Sequence, residues 1–281
     1  MLIHLVDAHR RLLEEQVPIY TLGGTLSLWG TPAGWCSLVG ELGKLPVSLC
    51  IQDRGEFHLN KIAIRAATIV DDVMFAVQPG MVDYYTHFIE HLKTKVHRPT
   101  DVKTEKWPKS FLNLKLTYQQ NGSILISQPF FIDKLLQLTN MENCKDLKTF
   151  NPSGNMRFSR DNCPESEKEK QEVEKWPVRQ TVGCMLYLSL MTRPCLSRAV
   201  SAASTIVSNP SKTHWKDIQK LVGYAKGTRG QGIVFEPNGP MEITSAVDAD
   251  WAGDDTTRKS ISGWVIFLGN GPVLWKQGPK R

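Results

Sequence analysis

The sequence lacks the features that mark secreted and membrane proteins. Its apolar runs, such as the one that ends at Val70, are interrupted by polar residues. They are also shorter than the roughly 20 residues that a helix needs to span a bilayer. The N-terminal segment does not show the order of basic, apolar and small residues that is typical of a secretory signal. These absences predict an intracellular protein, in the cytoplasm or the nucleus, without a membrane partner.

The sequence also has little that points to a disulfide framework, a zinc site or a strongly charged surface. Its six cysteines are scattered without the close pairs of a metal or redox motif, and we interpret them as reduced thiols. The formal net charge of +6 favours contact with a polyphosphate but does not demonstrate it. With 41% hydrophobic and 22% charged residues, the 281-residue chain has the composition of a globular protein with one large or two small domains.

Hydrophobic periodicity and turn signals predict mixed α and β structure. Amphipathic helices are predicted over 1–17, 81–95, 129–138, 178–190, 196–207 and 213–226. Strands are predicted over 45–52, 61–70, 73–77, 111–118, 123–127, 242–246, 263–268 and 273–276. Asn121-Gly122 is the strongest short hairpin signal in the chain. Residues 151–175 are polar with alternating charge signs, which predicts a solvated linker or the start of an exposed helix.

Two adjacent aspartates, Asp71 and Asp72, lie at the predicted turn between two strands. Carboxylates held this close repel each other unless a cation or protons lie between them. Mg²⁺ prefers such oxygen ligands, and two metal ions can activate the attacking group and stabilise the leaving oxygen in phosphoryl transfer. On residue types alone, an ordinary turn that contains aspartates remains the alternative.

The sequence around this pair resembles the catalytic hairpin of Ty1/copia-type reverse transcriptases. Residues 69–76 (Ile-Val-Asp-Asp-Val-Met-Phe-Ala) are similar to the family's Tyr-Val-Asp-Asp-Met/Leu-Leu-Ile-Ala segment. Other family blocks lie before and after this segment in the expected order, around Pro18-Ile19-Tyr20, Phe111-Leu112-Asn113, Ser127-Gln128, Thr192-Arg193-Pro194, His214-Trp215, Lys226-Gly227-Thr228 and Asp248-Ala249-Asp250-Trp251. Each block is a weak signal, but their shared order from about residue 18 to 276 is specific.

The resemblance implies an α+β fragment of a retrotransposon Pol polyprotein. It implies a partial reverse transcriptase, with a palm-like antiparallel sheet, packed helices and the start of the thumb, over 1–150. A charged linker over 151–177 and a helical connection over 178–240 would follow. An incomplete RNase H-like sheet would occupy 241–281. The implied partners are an RNA template, a DNA primer or an RNA–DNA hybrid, and the remainder of the polyprotein.

The same resemblance implies the site residues. Asp71 and Asp72 would be catalytic metal ligands of the polymerase, Asp248 would be the first carboxylate of the RNase H site, and Mg²⁺ would be the cofactor. The basic residues expected to contact nucleic-acid phosphates are Arg193, Lys216, Lys220, Lys226, Arg258 and Lys259, with a solvated basic surface as the alternative for each. We interpret Trp215 and Trp251 as core residues, with stacking on bases as the alternative, and His214 as a packing or capping residue.

The chain departs from the family pattern at both sites. No counterpart of the polymerase's third carboxylate precedes Pro18, and the later RNase H carboxylates would lie beyond Arg281. We therefore expect the chain to be inactive in RNA-directed DNA polymerisation and in hybrid cleavage. One alternative is a domesticated protein that binds nucleic acid or a partner without catalysis. Another is a fragment of a longer, active polyprotein.

Overall fold

The computed structural model describes residues 19–23, 49–52, 56–59, 64–69, 72–77, 79–95, 102–149, 158–237, 242–251 and 260–279. The chain forms two compact units. The first comprises Met1–Leu112, Tyr118–Ile124 and Phe235–Pro240, and the second comprises Asn113–Thr117, Leu125–Val234 and Met241–Arg281. The described residues are α+β with antiparallel sheets, as predicted. The predicted helix over 1–17 lies outside them.

The first unit contains a sheet of six described strands. In chain order these are β1 (Ile19–Gly23), β2 (Leu49–Gln52), β3 (Glu56–Leu59), β4 (Ile64–Ile69), β5 (Asp72–Val77) and β6 (Lys103–Lys106). They lie side by side in the order β2-β3-β4-β5-β1-β6, and every described pairing is antiparallel. A 3₁₀ turn at Pro79–Met81 leads into helix α1 (Val82–Lys95), as predicted, and a short strand, β7, covers Ser110–Phe111.

Strand β5 is the buried centre of the first unit. All its residues from Val73 to Val77 are buried, which is typical of a strand that is covered on both faces. The ring of Phe75 meets the edges of Tyr85 and Phe88 from α1, with ring centroids 5.4 and 6.1 Å apart. Such aromatic contacts add to the burial of apolar surface and fix the helix over the strand that begins at Asp72.

The second unit is mainly helical. Its helices are α2 (Pro129–Thr139), α3 (Glu167–Glu174), α4 (Val178–Met191), α5 (Ser197–Ser204) and α6 (Lys212–Gly227), with 3₁₀ turns at Arg160–Asn162 and Pro194–Leu196. Strands β8 (Leu114–Tyr118), β9 (Ile124–Ser127) and β10 (Gly232–Phe235) lie wholly or mostly in this unit, in the sheet order β10-β9-β8. Strands β11 (Ile243–Asp250), β12 (Ile261–Leu268) and β13 (Gly271–Pro279) form an antiparallel sheet in that order. Across the described ranges, no helix combines the length and apolar character needed to cross a membrane.

The hairpin predicted at Asn121-Gly122 is confirmed, but its first strand is shorter than predicted. Gly122 has φ 82°, in the left-handed region that glycine adopts most easily. The predicted strand over 111–118 is interrupted because Leu112 and Asn113 also have positive φ, at 52° and 62°. Two consecutive left-handed residues cannot continue a β-strand, so the chain turns between β7 and β8.

The core of the second unit includes part of the predicted linker. Leu188, Leu196 and Val222 are fully buried where α4, the following 3₁₀ turn and α6 meet. Phe158 and Val173 join the same core, while most of helix α3 is exposed. Of the two predicted alternatives, the described part of residues 151–177 contains the exposed helix. The bounds of helix α3 could not be predicted, because one buried valine among charged residues gives almost no periodic signal.

The two tryptophans interpreted as core residues have different environments. Trp215 is buried and its ring stacks on Trp176, with centroids 5.8 Å apart and an interplanar angle of 18°. Its predicted packing role is confirmed. Trp251 is 90% exposed, so its core interpretation is wrong. It follows β11, a strand whose residues are all exposed, and no hydrophobic pattern within the strand reveals that exposure.

His214 caps helix α6, as predicted. The Ser211 Oγ accepts a hydrogen bond from the His214 backbone N–H (3.3 Å), and the His214 Nδ1 accepts one from the Ser211 backbone N–H (3.1 Å). This reciprocal pair is a capping box with histidine in the place of the usual glutamate. The hydrogen bond between Nε2 and the Ser159 carbonyl (2.9 Å) therefore requires a proton on Nε2. The bonded form is the neutral imidazole.

Stability of the second unit is expected to fall below about pH 6.5 because of this histidine. Burial lowers the pKa of His214 below its ordinary value of 6.5, against the opposing effects of its hydrogen bond to Ser159 and of the charges of Asp217 and Glu169. The unfolded state therefore binds a proton first as the pH falls, which favours unfolding until the folded-state pKa is also passed. Urea unfolding midpoints measured from pH 7.5 to 5.5 should decline. The decline should be smaller in His214→Gln, and an equal decline in both proteins would refute this assignment.

Candidate functional site

The predicted aspartate hairpin is present in the first unit. Strands β4 and β5 pair antiparallel from Ile64 opposite Val77 to Ile69 opposite Asp72. Asp72 is therefore the first residue of the buried central strand, at the end of the hairpin where the sequence places the pair. Asp71 and the side chain of Asp72 lie outside the described residues. The hairpin is confirmed, while metal binding by the two carboxylates stays a prediction.

Asp248 lies beside a cavity in the second unit. Residue Asp248 of β11 is opposite Gly263 of β12, which in turn is opposite Gln277 of β13. The side chain of Gln277 lies over Gly263, with its Cγ 3.6 Å from the position that a Cβ atom of Gly263 would take. The cavity has a volume of about 320 Å³ and is lined by this sheet and by Pro194, Ser197 and Arg198 from the start of α5.

The charges around this cavity are mixed. Asp248 and Asp250 are two residues apart on one strand, so their side chains lie on the same face of the sheet. Arg198 Nη2 is 3.8 Å from Asp250 Oδ2, and Lys276 also lines the cavity. Both members of the ion pair are more than half exposed, and such a pair adds little to stability. Its effect is on charge, because it places a cation next to the carboxylates.

Sequence reasoning missed Arg198. Its neighbours Ser197 and Ala199 carry no motif, and Arg198 meets Asp250 only because the chain returns to α5 after the end of α6. The contact is long-range, so no local pattern could have predicted it.

The described residues do not form a complete site for two magnesium ions. Within the described ranges, no group of three or more histidine, cysteine, aspartate or glutamate side chains is arranged to hold a metal ion. Asp248 and Asp250 are the carboxylates of the cavity, and Asp250 already pairs with Arg198. We therefore derive no reaction step through a metal ion at Asp248.

Three of the family blocks meet in one buried hydrogen-bond network. Thr192 donates from Oγ1 to Gln128 Oε1 (2.7 Å), which joins the Thr-Arg-Pro block to the Ser-Gln block. Arg193 donates from Nη2 to Thr228 Oγ1 (2.7 Å) and from Nη1 to the Thr228 carbonyl (3.2 Å), which joins it to the Lys-Gly-Thr block. Its guanidinium also lies 5.3 Å from the centre of the Tyr224 ring. These residues hold the second unit together.

The position of Arg193 does not support a contact with phosphate. Arg193 is only 2% exposed, and its guanidinium already hydrogen-bonds to Thr228 and contacts the Tyr224 ring. A buried, hydrogen-bonded guanidinium is not available to a phosphate at the surface. The residue type misled the prediction, because a basic residue in a polymerase-like motif is also suited to hydrogen bonding inside the fold.

The other predicted basic contacts divide into three groups. Lys216 is exposed on α6, and so is Lys220, which pairs with Asp217 (2.7 Å). Lys226 is mostly buried, donates to the Cys144 carbonyl and lies 3.2 Å from Asp146. Arg258 and Lys259 lie outside the described residues. Lys216 and Lys220 thus remain candidates for phosphate contact, and their spacing of four places them on one face of the helix.

The Lys-Gly-Thr block at the end of α6 lies against the segment that follows α2. Lys148 Nζ donates to the Gly227 carbonyl (2.7 Å), and the Leu147 N–H donates to the Gly223 carbonyl (3.2 Å). A Cβ atom at Gly227 would overlap the Leu147 carbonyl oxygen and would lie 2.7 Å from the Leu147 nitrogen. Glycine is required at this position because two backbone segments touch there.

No protein-family model matches the chain. Over 190 residues it is 30% identical to the retrovirus-related Pol polyprotein from transposon TNT 1-94 of Nicotiana tabacum, which covers 67% of the chain and 14% of the polyprotein. Over 229 residues it is 26% identical to the retrovirus-related Pol polyprotein from transposon RE1 of Arabidopsis thaliana, which covers 76% of the chain and 15% of that polyprotein. It is also 36% identical over 105 residues to the secreted RxLR effector protein 161 of Plasmopara viticola, with 37% of the chain and 74% of that protein covered. The chain thus spans about a seventh of the two polyproteins that it matches.

Proposed function

Because the chain belongs to the family of retrotransposon Pol polyproteins, we propose that it corresponds to their reverse transcriptase–RNase H region, of the Ty1/copia type. The activities of that region are RNA-directed DNA synthesis and cleavage of the RNA strand of RNA–DNA hybrids. Its partners are an RNA template, a DNA primer and the resulting hybrid, inside the cell, and its cofactor is Mg²⁺.

The observation that carries this proposal is the hairpin of β4 and β5. It lies in an antiparallel sheet with α1 packed on its central strand, and Asp72 begins that strand at the turn. A position at a hairpin turn lies at the end of the sheet, while the buried remainder of the strand, Val73 to Val77, fixes its backbone. This arrangement suits a residue that must hold a metal ion next to a nucleotide phosphate.

We further propose that the chain by itself catalyses neither reaction. For hybrid cleavage the support is the charge arrangement at Asp248, where the neighbouring carboxylate of Asp250 pairs with Arg198 and Lys276 lines the same cavity. A two-metal mechanism requires enough oxygen ligands to clamp both ions, and a guanidinium next to those ligands opposes the binding of a divalent cation.

A second candidate is a protein that binds nucleic acid or a protein partner without catalysis. The alignment with the Plasmopara viticola effector supports it, because 105 aligned residues make up 74% of that protein and a segment of this kind can thus form most of a small protein. The exposed face of α6 with Lys216 and Lys220 would suit contact with phosphates. This candidate retains the fold of the second unit and needs no metal.

Primer extension tests the first proposal. The purified chain is incubated with an RNA template, a DNA primer, nucleotides and Mg²⁺ or Mn²⁺, beside an Asp71→Asn, Asp72→Asn double variant. We expect no extension above that of the double variant. Cleavage of an RNA–DNA hybrid is tested in the same way, with an Asp248→Asn variant as the baseline. We expect no cleavage by the chain above that of this variant. Circular dichroism and cooperative urea unfolding establish that each protein is folded.

The outcomes separate the candidates. Extension that disappears in the double variant would overturn the proposal of inactivity. If neither reaction occurs, hybrid binding measured by fluorescence anisotropy decides between an inactive remnant and a binding protein. Binding that weakens uniformly with rising salt, and that weakens further in Lys216→Glu but not in Lys168→Glu, an exposed lysine of α3, favours the second candidate.

A further inference from the structure

The loop between β8 and β9 contains a chemically labile pair of residues. In an Asn-Gly sequence the backbone nitrogen of the glycine can attack the side-chain carbonyl carbon of the asparagine. Glycine favours this attack, because it has no side chain to hinder the approach. The chain contains three such pairs, at Asn121-Gly122, Asn238-Gly239 and Asn270-Gly271. The reactions proposed above for the polyprotein region involve none of them.

The reaction at Asn121 requires only water as a co-reactant. As the bond between the Gly122 nitrogen and Asn121 Cγ forms, the bond between Cγ and Nδ2 breaks. The side-chain nitrogen leaves as ammonia, with the proton that the Gly122 N–H gives up. The product is a succinimide ring. Water then opens the ring at either carbonyl group, which gives aspartate or isoaspartate, in which the main chain runs through the former side-chain carbons.

The fold holds the attacking nitrogen. The Gly122 N–H donates a hydrogen bond to the Gln119 carbonyl (3.0 Å), and the Gln119 N–H donates one to the Ser123 carbonyl (2.9 Å). These bonds close a three-residue loop in which Gly122 has φ 82°, a common form of hairpin connection. The bond to Gln119 must break before the Gly122 nitrogen can give up its proton and attack. The closed loop therefore opposes the first step.

The fold also holds the side chain that would be attacked. The Ser123 backbone N–H donates to Asn121 Oδ1 (3.0 Å), and the Ser123 hydroxyl lies 2.7 Å from the same oxygen. Since a backbone N–H only donates, the oxygen of the Asn121 amide is the atom that faces Ser123. Ser123 is 1% exposed, so packing fixes its position. These contacts restrict the rotation that would present the carbonyl carbon of Asn121 to the Gly122 nitrogen.

We propose that Asn121 is a deamidation site that the closed loop keeps unreactive and that reacts when the loop opens. Hairpin loops can open locally, without unfolding of the rest of the protein. The reaction rate in the folded chain is then the rate in the open loop multiplied by the fraction of molecules in which the loop is open. An opening free energy of about 1.4 kcal/mol corresponds to a tenfold lower rate.

The two products have different effects on the loop. Aspartate at this position keeps the length of the main chain and an oxygen that accepts the Ser123 N–H. Isoaspartate lengthens the main chain before Gly122 by a carbon atom, so the bond from the Gly122 N–H to the Gln119 carbonyl cannot form again in the same geometry. Formation of isoaspartate thus converts a transient opening of the loop into a permanent change.

Peptide mapping of the full chain by mass spectrometry tests the proposal. The chain is incubated in one mildly alkaline buffer with and without urea, and aspartate and isoaspartate at Asn121 are quantified over time. We expect the reaction to be about tenfold or more slower in the folded chain than in urea. Asn238 and Asn270 are the reference in urea, where all three pairs should react at similar rates.

Two outcomes of this experiment would contradict the proposal. Equal rates at Asn121 in the folded and the unfolded chain would show that the loop gives no protection. A rate in urea far below the rates at Asn238 and Asn270 would show that Asn121 is not a reactive site.

Ser123→Ala tests which contacts protect Asn121. The variant removes the hydroxyl next to Asn121 Oδ1 and keeps the backbone hydrogen bonds of the loop. We expect Asn121 to react several times faster than in the parent when the chain is folded, and at the parental rate in urea. Ser127→Ala is the matched control, because it removes another buried serine hydroxyl at the far end of the adjoining strand β9. A parental rate in folded Ser123→Ala, or an equal increase in both variants, would overturn the role of Ser123.

Discussion

Replacing Gly227 with alanine should destabilise the second unit by about 3 kcal/mol or more. The added Cβ would overlap the Leu147 carbonyl oxygen and would lie 2.7 and 2.9 Å from the Leu147 nitrogen and carbonyl carbon. All three are backbone atoms, so no side chain can rotate to relieve the contact. Either α6 or the segment with Leu147 must move, and the hydrogen bond from Lys148 to the Gly227 carbonyl would be weakened as well.

The control for this substitution is Gly183→Ala in helix α4. No atom lies within 4 Å of a Cβ built at Gly183, which is an exposed helical position. Alanine is a better helix former than glycine, so this variant should be more stable than the parent by about 0.5–1 kcal/mol. Urea unfolding of the three proteins should show changes of opposite sign. Two variants that shift the midpoint in the same direction would contradict the close approach seen at Gly227.

Arg193→Ala should cost the second unit about 2–4 kcal/mol of stability. The substitution removes the hydrogen bonds from the guanidinium to the Thr228 carbonyl and hydroxyl oxygens, and it removes the contact with the Tyr224 ring. The Thr228 hydroxyl and carbonyl oxygens each lose a donor, although the carbonyl keeps the Gln231 N–H (2.9 Å), and a cavity of guanidinium size remains. Urea unfolding midpoints measure the loss.

Arg193→Lys distinguishes a structural role from a phosphate contact. Lysine keeps the positive charge, but it lacks the planar guanidinium that hydrogen-bonds to both Thr228 oxygens at once. The lysine variant should therefore lose most of the stability that Arg193→Ala loses. At a phosphate contact the charge matters most, and lysine would then behave almost like the parent in hybrid binding and in unfolding. A lysine variant of parental stability would show that the buried network is not what Arg193 supports.

The local elements could be predicted from the sequence, because their signals lie within single segments. The amphipathic stripes of α1 and α6 and the Asn121-Gly122 turn each combine a periodic pattern with a boundary signal, and the structure places elements there. The β4–β5 hairpin was also predicted, since Asp71-Asp72 interrupts two apolar runs. In these cases local propensity and tertiary packing favour the same structure.

Features that depend on distant parts of the chain could not be predicted in this way. Helix α3 packs through Val173 against residues much later in the chain, and its own charged sequence left a solvated linker open as the alternative to an exposed helix. The burial of Arg193 depends on Thr228, and the cation that pairs with Asp250 comes from Arg198. Trp251 is exposed although its residue type favours burial. Each of these features depends on contacts between segments that are distant in the sequence. A pattern within neighbouring residues carries no information about such contacts.

The network of Gln128, Thr192, Arg193 and Thr228 also bears on how such chains change over time. These side chains lie in the blocks by which the family is recognised, yet in this chain they hold packing together and do not overlap with Asp71, Asp72 or Asp248. Loss of Asp71, Asp72 or Asp248 would leave these hydrogen bonds intact, while loss of Arg193 would destabilise the second unit. In this chain the residues of three family blocks therefore have a role in folding that does not depend on catalysis.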